Sequence, residues 1–240
     1  MTPPIVREHD GVSVIRDDLF PVGTKARFMP VLFEGVTEAV YASPAEGGAQ
    51  TALASVAKDL GKRATIFVAA RAKLHPRTLE AARLGAKVVP VRPGYLSVVQ
   101  ARAKDYARSN SARLVPFGVD LPEAITRLSE AALATGLDPD EVWCAAGSGV
   151  LARALAKAWP RARRHVVQVG RALAREDVAG ATIHIYPRPF SDVAKTISQF
   201  PSDPHYDAKA WEVLGLDPGM TARKRPGRVV FWNVAGPARP

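Results

Sequence analysis

Cysteine is almost absent from this chain. The single Cys144 excludes an internal disulfide framework and any cysteine-cluster zinc site, and it fits a reducing compartment. The opening residues MTPPIVREHDGVSV lack the apolar core of a secretory signal, and no later run approaches membrane-spanning length. The expectation is a cytoplasmic protein with no membrane partner. His75, His165, His184 and His205 show no metal-ligand spacing and there is no His-Glu-x-x-His stretch, so no metal site is read. Ser43 and Ser97 lack the base-and-acid pattern of a hydrolase triad. Acidic residues are missing from Val142 to Arg175, where Arg153, Lys157, Arg161, Arg163, Arg164, Arg171 and Arg175 all fall.

What is present is ordinary for a globular protein. The 240 residues are 47% hydrophobic and 23% charged, enough for one large domain or two small ones, and wholesale disorder is excluded. The charge is less ordinary: 33 Lys and Arg against 23 Asp and Glu leave a net +10. A second basic cluster, Arg223, Lys224, Arg225 and Arg228, lies near the C-terminus. Such a field favours phosphate-bearing small molecules or nucleic acid. A basic composition that only keeps the surface solvated accounts for it equally well.

From about Thr37 onward, short β-rich runs alternate with helical ones. Strands are expected at 40–42, 65–69, 87–91 and 113–116, with helices at 50–60, 77–84 and 96–108 between them. Gly61 and Gly85 end two of the helices and Pro76 precedes one, as helix termini favour. A second series follows: helix 121–135, strand 141–146, helix 150–159, strands 165–169 and 182–186, helix 206–214 and strand 228–234. The Pro- and Ser-rich text from Pro187 to Pro204 reads as a loop or lid. Strict alternation with near-continuously apolar strands predicts parallel sheets joined by right-handed crossovers. The fold class is α/β, with two α/β units sharing one chain.

Two local signals carry chemistry. Gly147-Ser148-Gly149 lies between a strand and a helix, where backbone N–H groups converge on an anion at the positive end of the helix dipole. It is neither a Rossmann fingerprint, since the third glycine and the ribose-binding acid are missing, nor a P-loop, since no Gly-Lys-Ser/Thr follows. The segment Arg16-Asp17-Asp18-Leu19-Phe20-Pro21-Val22-Gly23-Thr24-Lys25-Ala26-Arg27 places an amine just after an acidic pair and a Pro/Gly turn, entering a helix. A lysine at such an elbow is a candidate nucleophile where neighbours depress its charge, and an ordinary solvated lysine otherwise. Cys144 and Trp143, Trp159, Trp211 and Trp232 read as core, and His165 and His184 as core or strand-edge residues.

The segment around Lys25 resembles the lysine-bearing segment of the fold-type-II pyridoxal-phosphate enzymes, and is most similar to the D-cysteine desulfhydrase and 1-aminocyclopropane-1-carboxylate deaminase branch. The likeness continues in order along nearly the whole chain. Glu46-Gly47-Gly48-Ala49-Gln50-Thr51-Ala52-Leu53-Ala54 resembles the loop and helix start that face the cofactor ring and the substrate carboxylate. Residues 78–88 resemble the small-domain helix that ends at Gly-Ala, and Val115-Pro116-Phe117-Gly118 resembles the return strand. Ala146-Gly147-Ser148-Gly149 matches the phosphate loop, and Asp203-Pro204-His205-Tyr206-Asp207-Ala208-Lys209-Ala210 resembles the segment whose tyrosine assists proton transfer. Val230-Phe231-Trp232-Asn233-Val234-Ala235-Gly236 resembles the strand that ends at the pyridine nitrogen. The chain departs from the pattern twice. Gly47 falls about where the family has a ring-contacting Asn, and Val234 replaces its Ser or Thr, which weakens the electron sink.

The resemblance implies a tryptophan synthase β-like fold of two three-layer α/β/α units with the active site in the cleft between them. The larger, cofactor-binding domain would comprise residues 1–37 and 117–240, and the smaller inserted domain 38–116. Pyridoxal 5′-phosphate would be held by Lys25 as a Schiff base and by Gly147, Ser148, Gly149, Val150, Asn233 and Val234. Lys25 and Tyr206 would be catalytic, and Ala45, Glu46, Gly47, Gly48, Gln50 and Tyr95 would meet the substrate. The activity implied is a lyase or deaminase acting on an amino acid or similar amine through α-proton removal, in a homodimer. Two alternatives stand beside it: an enzyme that tailors an amino-acid-modified nucleobase in DNA, motivated by the charge, and a non-catalytic relative, motivated by Gly47 and Val234.

Overall fold

The computed structural model describes residues 2–216 and 228–238, so the basic cluster at Arg223, Lys224 and Arg225 lies outside the described residues. The chain divides into two units, one formed by residues 2–24 with 121–237 and the other by Lys25–Asp120. No helix among the described residues is long and apolar enough to cross a membrane.

The first unit opens with β1 (Val6–His9) and β2 (Val12–Arg16), an antiparallel pair not anticipated from the sequence. Their turn is Asp10-Gly11, with φ of 51° and 75°. Two successive positive φ values match the right-handed strand twist, which is why this dipeptide favours tight hairpins.

The second unit holds β3 (Glu38–Ala42), α1 (Ala49–Asp59), β4 (Arg63–Ala69), α2 (Pro76–Arg83), β5 (Lys87–Val91), α3 (Leu96–Ser109) and the two-residue β6 (Arg113–Leu114). Its four strands lie in the order β5-β4-β3-β6, and every pairing is parallel. Phe67, Val40, Ala42 and Val91 on one face pack against Val99, Ala103 and Ala107 of α3. The spacing of those three α3 residues puts them on one stripe of the helix. α1 packs on β3 and β4 with α2 beside it.

The chain then returns to the first unit with α4 (Pro122–Leu133), β7 (Glu141–Ala146), α5 (Val150–Ala158), β8 (Arg163–Gln168), β9 (Thr182–Ile185), α6 (Asp207–Leu216) and β10 (Val229–Asn233). The six strands take the order β1-β2-β10-β7-β8-β9, parallel except for β1. Trp143, Ala145, Val167 and Phe231 form one face, covered by Ala210 and Leu214 of α6 and by Phe200. The alternate residues Val142, Cys144, Val230 and Trp232 are also buried, as parallel strands covered on both faces require. Burial, and secondarily the Asp207 carboxylate, push the Cys144 thiol up to about 12, which makes it a core side chain.

No helix or strand forms between Tyr186 and Tyr206, as the Pro- and Ser-rich text predicts, but the segment is well tethered. Lys209, fully buried on α6, donates from Nζ to the carbonyls of Pro189 (2.9 Å) and Phe190 (3.3 Å) and lies 4.9 Å from the Tyr186 ring centroid. Desolvation lowers its pKa, and the carbonyls and ring faces offset part of that penalty. Glu212 accepts from the backbone N–H groups of Lys195 and Thr196.

Glu38 shows how the second unit manages a buried charge. Its carboxylate accepts from Thr65 at 2.6 Å, Arg63 at 3.1 Å and Tyr106 at 3.1 Å. Burial pushes the group up, but these bonds outweigh it and hold its pKa below the usual value. A depressed folded-state pKa stabilises the fold above the unfolded value, and that stability is lost as pH falls through the folded one. Glu38→Gln is therefore expected to cost about 1–3 kcal/mol near neutrality. The gap from the parent protein should close below the ordinary carboxylate range, as read by urea unfolding at a series of pH values.

Candidate active site

In parallel sheets the strand C-termini share an edge, and the loops leaving that edge are where α/β proteins bind ligands. Gly147-Ser148-Gly149 leaves β7 at that edge and enters α5. Gly149 has a φ of +85°, and a Cβ built there would meet the Asp177 carbonyl oxygen at 1.9 Å, so only glycine fits. The turn thereby delivers its N–H groups to the start of a nine-residue helix whose first turn has no acid. Asp177 lies outside this set, accepting from the Ala174 N–H at 3.0 Å and pairing with Arg171 at 3.2 Å.

Tyr206 meets the same turn, its phenolic oxygen accepting from the Gly147 N–H at 2.9 Å. Its backbone is fixed by a cross-link to the chain after β10: Asp203 N–H donates to Ala235 O at 2.8 Å, and Ala235 N–H donates to Asp207 Oδ2 at 3.2 Å. Desolvation, then the Asp207 carboxylate, raise the phenol's pKa, so Tyr206 keeps its proton throughout the neutral range.

The elbow before Lys25 is anchored to the end of β10. Thr24 N–H donates to Val234 O at 2.9 Å, and Gly23 (φ +80°) passes so close that a Cβ there would lie 2.5 Å from the same oxygen. Thr24 Oγ1 donates to Asp17 Oδ2 at 2.7 Å, and Trp232 Nε1 is 2.9 Å from that hydroxyl and 3.2 Å from that carboxylate. Lys25, half-buried, follows directly, in a four-residue 3₁₀ turn (Thr24–Arg27) rather than at the start of a longer helix.

Asn233 and Val234 serve the scaffold in this structure. The Asn233 amide donates to Asp18 Oδ1 (2.7 Å) and Pro201 O (2.8 Å), and its oxygen accepts from Ser202 (2.8 Å). Both ends of the amide are thus taken by the protein, and Val234 offers its carbonyl to Thr24. Val150, buried, is the first residue of α5.

In the second unit, Ala45, Glu46, Gly47 and Gly48 form the turn between β3 and α1. Gln50, fully buried, ties that turn together: its Nε2 donates to the carbonyls of Ala45 (2.8 Å), Gly47 (3.1 Å) and Pro44 (3.2 Å). Its Oε1 is buried with no hydrogen-bond partner among the described residues. Glu46 pairs with Arg71 at 3.5 Å. Tyr95 is the N-cap of α3 and its side chain is 73% exposed. The roles of Gln50 as a loop tie and of Lys209 as a tether were not read from the sequence. A polar residue one place into a helix after a glycine pair was the signal for Gln50, whereas Lys209 gave none.

His165 and His184 form a bonded pair, Nδ1 to Nε2 at 3.0 Å, stacked on Trp143. This agrees with their reading as core or edge residues. Among the described residues no group of three or more His, Cys, Asp or Glu is arranged to hold a metal ion.

Several known proteins share this architecture. A crystal structure of an ACC deaminase homologue superposes with a TM-score of 0.80 at 17% identity, covering 98% of this chain and 90% of that one. Diaminopropionate ammonia lyase of Escherichia coli does so at 0.72 and 13%, covering 98% and 83%. The T.th. threonine deaminase follows at 0.68 and 18%, covering 98% and 92%. The chain has the tryptophan synthase β-like fold of the fold-type-II pyridoxal-phosphate enzymes. The likeness read from the motif order is thus met by the architecture. No protein-family model matches the chain. A curated relative, the glycyl-dTMP PLP-dependent decarboxylase of Pseudomonas phage M6, is 29% identical over 213 residues, covering 76% of each chain.

The two glycines of the Gly147-Ser148-Gly149 turn differ in what they tolerate. A Cβ at Gly147 would meet Tyr206 Cε2 at 3.5 Å, an ordinary contact. Gly147→Ala should therefore stay within about 1 kcal/mol of the parent, whereas Gly149→Ala should lose about 2–4 kcal/mol or fail to fold. Urea unfolding of the pair checks the contrast.

Proposed function

We propose that this protein is a pyridoxal-phosphate-dependent enzyme acting at the α-carbon of an amino acid carried on a thymidine nucleotide. The observation that carries the reading is the Gly147–Gly149 turn, which needs glycine at position 149, opens into a helix with no acid in its first turn, and is hydrogen-bonded to Tyr206. Its chemistry suits a phosphate monoester. Two further facts support the nucleotide substrate: the phage relative named for glycyl-dTMP, and the net charge of +10.

When bound, pyridoxal phosphate supplies an electron sink for charge developing at the carbon that bears the substrate amine. The remaining work belongs to the chain. Backbone N–H groups of Ser148–Val150 would hold the phosphate, the Gly147 N–H being donated to Tyr206. Lys25 would hold the cofactor through its amine, and its free amine would take or return a proton at the substrate α-carbon. Tyr206, kept neutral, acts as a hydrogen-bond donor and acid. The Ala45–Gln50 turn, opening into the N-terminus of α1, receives the substrate carboxylate, with Gln50 fixing its shape. Asn233 and Val234 position the Lys25 elbow, and Val234 carries no hydroxyl that could support protonation of the cofactor's ring.

Elimination or deamination of a free amino acid is the second reading, favoured by the deaminase and ammonia-lyase architecture of the structural neighbours. A homodimer is the assembly expected with either.

Purification with pyridoxal phosphate, borohydride reduction and peptide mapping test the chemistry. The label should fall on Lys25 and vanish in Lys25→Ala, whereas a label on the buried Lys209, or none, overturns the assignment. Glycyl-dTMP and a panel of free D- and L-amino acids then separate the readings. Release of carbon dioxide from the nucleotide supports the first, and ammonia from a free amino acid supports the second. Tyr206→Phe should retain the Lys25 label while slowing turnover about 10²–10⁴-fold.

A further inference from the structure

The positive charge is unevenly shared. Between Lys25 and Asp120 there are fifteen Lys and Arg against seven Asp and Glu, so this unit carries most of the chain's net +10. Part of the excess gathers at the C-terminal edge of its sheet. Arg71 and Lys73 lie in the turn after β4 and Arg92 directly follows β5, all three exposed. The two turns are side by side: Ala70 N–H donates to Val91 O at 2.9 Å, and a Cβ on Gly94 would lie 3.0 Å from that of Ala69. The Arg71–Glu46 pair joins them to the turn proposed to receive the substrate.

Two aromatic side chains stand exposed on the same rim, Tyr95 at the start of α3 and Phe117 just beyond β6. Next to them, Ser97, Gln100 and Lys104 of α3 and Phe117 line a cavity of about 360 Å³. Cationic side chains interleaved with exposed aromatics are what binds an unpaired nucleic-acid strand, the cations meeting phosphates and the rings stacking on bases.

We infer that this rim is a docking surface for single-stranded DNA that carries the reactive nucleotide. Lys73 and Arg92 meet the backbone phosphates, Tyr95 stacks on a base flanking the reactive one, and the cavity at Phe117 and Lys104 takes a further base. A strand is favoured over a duplex because stacking on Tyr95 requires an exposed base face. DNA is favoured over RNA by the deoxynucleotide in the phage relative's name. The inference rests on the proposed function only for the reactive group; the surface stands on its own charges and rings.

The test is fluorescence anisotropy of the full-length protein with a labelled oligothymidylate of about twelve nucleotides over a series of salt concentrations. Binding is expected to weaken with salt, and Lys73→Ala and Arg92→Ala should each reduce the log–log slope by about 0.7. Tyr95→Ala should weaken binding about tenfold, while Tyr95→Phe, which keeps the ring, should not. Arg161→Ala, on the turn between α5 and β8, serves as the charge control and should leave the slope higher than the rim variants do. Wild-type binding by the Arg92 and Tyr95 variants overturns the proposal. So does an equal loss with Arg161→Ala, or displacement of the strand by dTMP at matched nucleotide concentration. Borohydride labelling of Lys25 in the same preparations keeps the two readings apart. Labelling without rim-dependent binding removes the surface alone, and rim-dependent binding without labelling removes the enzymatic reading alone.

Discussion

The buried carboxylate of Asp17 is the constraint on which the first unit depends. It is fully enclosed, accepts from Thr24 seven residues away, and lies within hydrogen-bond distance of the Trp232 indole, 215 residues away. A buried carboxyl group is tolerated only when its oxygens are matched by donors, so the N-terminal segment depends on the last strand for one of them. Arg16 reinforces the arrangement by gripping Asp18 with two bonds of 2.7 Å, and Asp18 in turn accepts from Asn233. The acidic pair that precedes the lysine in sequence is therefore a pair of struts. Their work is to hold Gly23 and Thr24, the residues just before Lys25, against the Val234 carbonyl.

Much of the fold was legible because local and global preferences agree. Near-continuously apolar runs such as Thr65–Ala69 suit only a strand covered on both faces, and the glycines after α1 and α2 adopt the left-handed conformation that ends a helix. The β1–β2 hairpin escaped for the opposite reason. Its first strand, Val-Arg-Glu-His, has almost no apolar signal, and its burial pattern is that of an edge strand half in solvent. The Asp10-Gly11 turn marked it, but a turn signal carries weight only beside alternating strands, and one of these two does not alternate.

The candidate site was legible to the extent that its chemistry is local. Gly149 is dictated by its own φ and by the Asp177 carbonyl, and a strand–Gly-Ser-Gly–helix order announces such a position. Asn233 is a different matter. The resemblance implies a cofactor contact for Asn233, and in this structure its amide is engaged by Asp18, Pro201 and Ser202. Partner choice for a buried amide is decided by what the rest of the chain brings within 3 Å, and nothing in a one-dimensional string encodes that competition. Lys209 escaped for the same reason, since its two carbonyl acceptors lie about twenty residues upstream in a segment without regular structure.

Charge makes the same point at larger scale. Net charge is read from composition, but its effect depends on which groups face water. Six acids, Asp17, Glu38, Glu80, Glu141, Asp203 and Asp207, are buried against four bases, Arg16, Arg27, Arg77 and Lys209, while Arg71, Lys73, Arg92, Arg161 and Arg175 are exposed. Buried carboxylates matched by donors inside the protein contribute little to the potential outside it, whereas exposed guanidinium and ammonium groups contribute within about a Debye length. The outward field is therefore more positive than the composition alone suggests. A phosphate-bearing substrate would experience that field on approach, and at the Gly147–Gly149 turn it would find backbone dipoles in place of counter-ions. Long-range attraction by side chains followed by short-range fixing by peptide N–H groups would let such a substrate bind without being trapped, because only the second step depends on geometry.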